Sequence, residues 1–294
     1  VLRRRDRLRA LAVPAVRGRL SQAQQFLSDA GEQHSLLAHL EGSEEDLASS
    51  EKIHLTAICG CAMQIGITDQ LLDQGVEPDW IMGCSMGDLA RSVVSGAVSF
   101  ARVLAIQLKL HDSHCHSVAR YTGLNLGVYA QHRAPFGPAD LKWFVQRGFS
   151  PSLMSPVFLQ LSIGQEHEQE LKELARLKGW RVSRSKFNFR WHDSQLRSAS
   201  EAVLSGLQQT SLSEPKIPIY SSILNQPLLN LTEMGAEARQ IMWKPLRWHE
   251  AVSSLYRFHG VTDFVNIGPC RSLAALQRQI LPRCRARDGL DTVC

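Results

Sequence analysis

Apolar residues recur at helical spacing through the first fifty positions, at Leu8, Leu11, Val16, Leu20, Phe26 and Leu27, with Pro14 interrupting. The pattern predicts helices lying on a larger body. One long helix is expected over 51–75, with Ile53, Ala57, Cys61, Ile65 and Leu72 facing inward and Gly75 at its end. Val76-Glu77-Pro78-Asp79 then turns the chain into a short buried strand at Ile81-Met82, a tight turn, and a helix over Asp88 to Ser95. A further helix is expected from about Ala101 to Ser117.

The texture changes at Gly123. Leu124 to Tyr129 reads as a strand, Pro138 to Arg147 as a helix, Val157 to Ser162 as a strand, Glu166 to Leu177 as a helix, and Arg181 to Phe189 as a strand. Two such β-α units in sequence predict a small α+β insert of ferredoxin-like type. Beyond it come a helix (Gln195 to Gln208), a strand (Ile217 to Ser222), helices over Glu237 to Met242 and His249 to Phe258, and a buried strand at Asp263 to Ile267. Gly268-Pro269 leads into a last helix, and the polar tail from Arg283 to Cys294 is expected to be disordered or loosely docked. Strands alternating with helices predict an α/β fold with a parallel sheet. The expected division is 1–122 with 193–294 for the core and 123–192 for the insert.

Composition narrows the choice of function. With 294 residues and 44% apolar content the chain can bury a large core, and no stretch of about 18 apolar residues predicts a membrane span. No secretory signal pattern stands at the start, and the seven cysteines are scattered, none in paired zinc-site spacing; reduced thiols in a cytoplasm are the expectation. The net charge of +5 favours acidic partners, while 7% aromatics without interleaved basic patches argue against nucleic acid.

The candidate chemistry centres on Gly83-Cys84-Ser85-Met86-Gly87. A Gly-x-Ser-x-Gly run between a strand and a helix is the nucleophile elbow: its glycines permit a sharp turn that exposes the serine hydroxyl. The helix that follows offers backbone N–H groups to an oxyanion.

These residues, with Val94-Ser95-Gly96-Ala97-Val98-Ser99, Lys244-Pro245-Leu246-Arg247-Trp248-His249 and Phe264-Val265-Asn266-Ile267-Gly268-Pro269, resemble the malonyl-CoA:acyl-carrier-protein transacylase and polyketide synthase acyltransferase family. The resemblance spans nearly the whole chain. It implies an α/β-hydrolase-like core with a ferredoxin-like subdomain and ping-pong chemistry. In that chemistry a serine takes an acyl group from coenzyme A or a carrier and hands it to a phosphopantetheine thiol. A serine hydroxyl needs an adjacent base. The resemblance implies Ser85 as nucleophile, His192 as general base and acid, Met86 N–H as an oxyanion donor, and the Gln240 backbone carbonyl as the group that orients His192. It implies no bound cofactor, acyl-CoA or a phosphopantetheine thioester as substrate, and an acyl carrier protein as partner; a monomer is expected.

Four departures from the family pattern bear on specificity. The position of the family's malonyl-binding arginine is Leu110, which replaces a bidentate carboxylate partner with an apolar wall. The neighbouring Lys109 stands about 100° around the helix. In Phe189-Arg190-Trp191-His192, Trp191 is expected either to reshape the acyl pocket or to pack. Arg190 is a candidate replacement cation, although strand alternation puts it on the face opposite Trp191. Cys84 stands where the family has histidine, as inert packing or as a modifier of pocket geometry. Finally, the family's opening strand and glutamine-bearing loop have no counterpart in this sequence, through truncation or through real loss of one oxyanion donor. His111-Asp112-Ser113-His114-Cys115-His116 has ligand-type residues at helical spacing, but the expected metal content is none.

The expected function is therefore transfer of a non-carboxylated acyl group between CoA or carrier and a carrier thiol in polyketide or fatty-acid-type biosynthesis. Three alternatives stand beside it: an acyl hydrolase that clears carriers, a catalytically impaired carrier-binding scaffold, and a malonyl transferase using Arg190.

Overall fold

In the computed structural model the described residues are 3–118, 123–131, 134–185, 190–205, 212–268 and 271–293, with the backbone alone described at 50, 112–118 and 202–205. The first part is helical: α1 (Arg4–Ala12), α2 (Pro14–Asp29), α3 (Leu36–Glu41), α4 (Glu44–Ala48) and α5 (Ile53–Asp73). Pro14 opens α2 rather than breaking a helix, because its missing N–H costs nothing in the first turn. Ser35 caps α3, and Ser43 with Asp46 forms a capping box on α4.

Helix α5 is the hub of the core. It buries Leu55, Ile58, Cys59, Ala62, Met63, Ile65 and Ile67, so it is enclosed on most sides rather than along the one stripe expected. Leu72, expected inside, is 37% exposed. Among the described residues, α5 alone is long and apolar enough to cross a membrane, yet most of it is buried inside the protein. Against it lie Val16, Leu20, Ala23 and Leu27 of α2. The two helices meet at Gly66, where an added Cβ would stand 2.5 Å from the Val16 Cα.

The elbow strand β1 (Ile81–Met82) leads into α6 (Gly87–Val94) and α7 (Phe100–Val118). Next come β2 (Gly123–Ala130), α8 (Pro138–Gln146), β3 (Ser150–Ser155), β4 (Phe158–Gly164), α9 (Glu168–Lys178) and β5 (Trp180–Arg184). The four strands form an antiparallel sheet in the order β3-β4-β2-β5. Leu124, Leu126 and Val128 alternate onto one face of β2 and pack with Phe144, Leu159, Leu161 and Leu171, the period-2 pattern of a half-covered sheet. The expected strand over Arg181 to Phe189 ends at Arg184, and 186–189 lie outside the described residues.

The chain continues through α10 (Arg197–Ser205), β6 (Ile219–Ser221), β7 (Gln226–Leu228), α11 (Leu231–Ala238), α12 (Trp248–His259), β8 (Asp263–Asn266), α13 (Ser272–Ile280), β9 (Arg285–Asp288) and α14 (Gly289–Val293). Two expectations are corrected here. The helix expected over Glu237 to Met242 lies instead at Leu231–Ala238, because the Asn230 side chain accepts the Glu233 N–H and caps α11, and 239–242 form turns. The tail expected to be loose is ordered: β9 pairs in parallel with β8, and Leu290 is buried in the α5 core.

The parallel pairing expected of the core takes the form of two separate pairs among the described residues. Strand β1 pairs with β6 (Ile81 with Ile219, Met82 with Tyr220), and β8 pairs with β9. A cavity of about 450 Å³ is lined by residues of both β1 and β8. Since α5 carries the core, Ile58→Ala should cost roughly 2–5 kcal/mol of stability. Denaturant unfolding followed by circular dichroism would measure it.

Candidate active site

The elbow is built by close backbone approach. At Gly83 an added Cβ would lie 2.6 Å from the Asp88 N, so any side chain there would collide with the first turn of α6. The Ser222 Oγ donates to the Gly83 carbonyl at 2.9 Å and fixes the strand end from the β6 side. Ser85 then takes φ 57°, a left-handed conformation that costs a non-glycine residue on the order of 1–3 kcal/mol. The Gly87 and Asp88 N–H groups close the turn onto the Cys84 and Ser85 carbonyls. Among the described residues no backbone acceptor takes the Met86 N–H, which stands at the entry to α6.

His192 meets this serine from a different part of the chain. Its Nε2 lies 2.9 Å from the Ser85 Oγ, and its Nδ1 lies 3.1 Å from the Lys244 carbonyl oxygen. With Nδ1–H donating to Lys244, Nε2 is left to accept the serine proton. His192 also has φ 57°, and its N–H is held by the Met242 carbonyl. Burial lowers its pKa from 6.5 to about 4, against the opposing effect of the backbone bonds to Lys244 and Ile241. It is therefore a neutral imidazole at physiological pH.

The orienting carbonyl is that of Lys244, not Gln240. The Gln240 carbonyl accepts the N–H groups of Trp243 and Lys244 and is consumed by its own turn. Lys244 precedes Pro245, and a residue before proline is steered away from helical geometry, which frees its carbonyl to face the imidazole. The Lys244-Pro245 pair was the sequence signal for this.

Ser85 and His192 open onto a cavity of about 550 Å³. Leu110 lines it, together with Leu89, Val103, Ile106 and Ile53, and Lys109 is exposed on the far side of α7. Trp191 lines it too, and its carbonyl accepts the Ser162 hydroxyl. Arg190 and Cys84 do not line it. Arg190 Nε donates to the fully buried Asp193 carboxylate at 2.8 Å, because a buried carboxylate needs a counterion. Cys84 faces the second cavity and packs with the Trp248 and Val252 cluster.

The sequence reading missed a buried charge cluster at this cavity. Arg91 is bidentate to Glu237 (3.0 and 2.6 Å) and lies 3.3 Å from Asp88. Burial is the main cause that raises the Asp88 carboxyl above its usual range; Arg91 opposes it and Glu237 adds to it. Charges at the i and i+3 positions of the short, otherwise apolar inner face of α6 were the available signal. Of the expected metal-type run, His111 stacks on His54 at 3.8 Å between ring centroids, while the side chains of 112–116 lie outside the described residues. Among the described residues no group of three metal-ligating side chains occurs. The four described cysteines, Cys59, Cys61, Cys84 and Cys284, form no disulfide.

A strained elbow that presents a serine to a buried histidine above a largely apolar cavity defines the class: a mixed α/β protein with a serine–histidine site. Within that class the chain belongs to the acyl transferase domain family, whose profile matches residues 32–284. It is 25% identical over 232 residues to the polyketide biosynthesis acyltransferase homolog PksD of Bacillus subtilis, covering 76% of this chain and 65% of that relative's length. It is 23% identical to the malonyl CoA-acyl carrier protein transacylase of Synechocystis, covering 84% of this chain and 81% of that one. Its fold is that of the Coxiella burnetii malonyl CoA-acyl carrier protein transacylase, with a TM-score of 0.83 at 18% identity over 95% of this chain and 87% of that one. A malonyl-transacylase in complex with its type II PKS acyl-carrier protein gives the same TM-score at 19% identity, over 97% of this chain and 92% of that one.

The lowered His192 pKa has two consequences. Between pH 6.5 and about 4 the unfolded chain binds a proton at this residue that the folded chain does not, so stability should fall as the pH drops through that window. Labelling of Ser85 by a fluorophosphonate, which needs neutral His192, should persist to about pH 4 rather than fade near 6.5. His192→Ala should slow that labelling by about 10²–10⁴-fold. Intact-protein mass spectrometry across a pH series would read both effects on labelling.

Proposed function

We propose that this protein forms an acyl-enzyme on Ser85 and passes a non-carboxylated acyl group to the phosphopantetheine thiol of an acyl carrier protein. The observation that carries the reading is the 2.9 Å bond between the Ser85 Oγ and the His192 Nε2 on the wall of the cavity. In the first half-reaction the Oγ attacks the thioester carbonyl while its proton passes to Nε2; the C–S bond breaks and the thiol leaves with that proton. The Met86 N–H and the α6 dipole stabilise the oxyanion. The second half-reaction is the reverse with a new thiol: Nε2 takes its proton, sulfur attacks the ester, and Ser85 is restored. The Lys244 carbonyl holds the imidazole tautomer throughout.

The absence of carboxylate selection rests on two features of the cavity wall. Leu110 supplies no charge, and both terminal nitrogens of Arg91 are engaged by Glu237. A malonyl carboxylate would be desolvated against leucine or would have to displace Glu237. The malonyl reading through Arg190 loses its support, because that guanidinium is paired to Asp193. A carrier partner is supported by the neighbour solved with an acyl-carrier protein. The β-α-β-β-α-β connectivity of 123–184 supports the ferredoxin-like subdomain, and β1 to α6 supports the α/β-hydrolase-like elbow. The same reading makes the protein a cytoplasmic monomer that uses acyl-CoA as donor and needs no bound cofactor.

Incubation with acetyl-, hexanoyl- and malonyl-CoA should give a Ser85 adduct from the first two donors and not from malonyl. A stable adduct that moves to an added carrier thiol supports transfer, whereas rapid release of free acid would mark a hydrolase. No adduct from any donor, with carrier binding retained in Ser85→Ala, would leave a scaffold. Leu110→Arg should raise malonyl loading relative to acetyl by about tenfold or more, the effect of one charge-assisted pair.

A further inference from the structure

The acyl cavity holds a polar side chain that the chemistry above does not use. Gln107 of α7 is 4% exposed and lines the same cavity as Ser85. Neither its Nε2 nor its Oε1 has a hydrogen-bond partner among the described residues. It stands one helical turn before Leu110, on the same side of α7, with Val103 and Ile106 as apolar neighbours on the cavity wall. The same cavity is lined by His54 of α5, 7% exposed, whose Nδ1 is also without a partner among the described residues. Burial, with the charge of His111 adding to it, lowers the His54 pKa to about 4, so this ring is polar but uncharged.

An amide sealed inside an apolar wall is a liability for a plain hydrocarbon chain. Such a chain would leave both buried amide atoms unmatched, and an unmade buried hydrogen bond costs more than a made one gains. A chain with one neutral oxygen at the right depth satisfies the amide. A hydroxyl can accept from Nε2–H and donate to Oε1; a ketone can accept from Nε2–H. A carboxylate has no place here, since neither Gln107 nor neutral His54 offers a charge.

We propose that Gln107 is a specificity-determining residue of this cavity and that the acyl group it selects carries a hydroxyl or ketone oxygen along its chain. The inference rests on Ser85 being the acylated residue. A site built around a hydrogen bond rejects the analogue that lacks it far more strongly than an apolar pocket rejects a missing methylene.

The test compares rates of Ser85 acylation by pantetheine thioesters of one chain length: hexanoyl, 3-hydroxyhexanoyl, 5-hydroxyhexanoyl and 5-oxohexanoyl. Intact-protein mass spectrometry reads each rate in the wild type, Gln107→Leu and the unbranched Gln107→Met. The expected result is a preference of tenfold or more for at least one oxygenated chain over hexanoyl in the wild type. That ratio should fall to near unity in both variants. Because the ratio is internal to each protein, partial loss of fold in one variant does not mimic it, and the wild-type ratio stands without either. Equal or faster loading of the plain chain by the wild type overturns the proposal, and so does an oxygen preference that survives both substitutions. Loading by none of the four thioesters, with Ser85 still labelled by a fluorophosphonate, overturns the acyl-enzyme reading and this inference with it.

Discussion

His192 is buried and neutral, and both of its ring nitrogens must be matched. That constraint organises the site. The Nδ1–H needs a carbonyl that no helix or sheet consumes, and Lys244 supplies one because Pro245 ends the turn before it. The Nε2 needs a donor, and Ser85 supplies it only because the elbow forces the serine into a left-handed conformation. Two residues at positive φ facing each other mark a place where local strain is held by the surrounding packing. The Gly83 contact with α6, the Ser222 bond to the strand end and the Met242 carbonyl on the His192 N–H are the parts that hold it.

The same economy explains the residues that dropped out of the site. A buried carboxylate without a counterion is costly, so Asp193 claims Arg190 and Glu237 claims Arg91. Each guanidinium is thereby committed within the protein. Leu110 then faces a cavity whose described cation is already paired, and the proposed preference for neutral acyl groups rests on that pairing. Cys84 stands where the strand gives way to the turn, and its side chain packs with the Trp248 cluster and not in the Ser85 cavity.

The sequence by itself determined the elements whose signals are local. The helical run of α5, the elbow motif and the alternation in β2 are short-range patterns, and so is the order of β and α segments from 123 to 184. Ser85 and Trp191 were legible because a turn motif and a short linear pattern carry them. The start of α11 is equally local, set by the Asn230 cap and Glu233 in the first turn.

What tertiary structure alone decided was pairing between distant segments. Which carbonyl faces Nδ1, which carboxylate neutralises which arginine, and whether the polar tail finds a strand partner in β8 all depend on contacts far apart in the chain. Gln107 was invisible for the same reason: a polar residue on a helix face reads as exposed until the fold buries it. Hydrophobic periodicity reports how a segment packs on average. It does not report which buried polar group is satisfied, because that is settled by partners the segment does not contain.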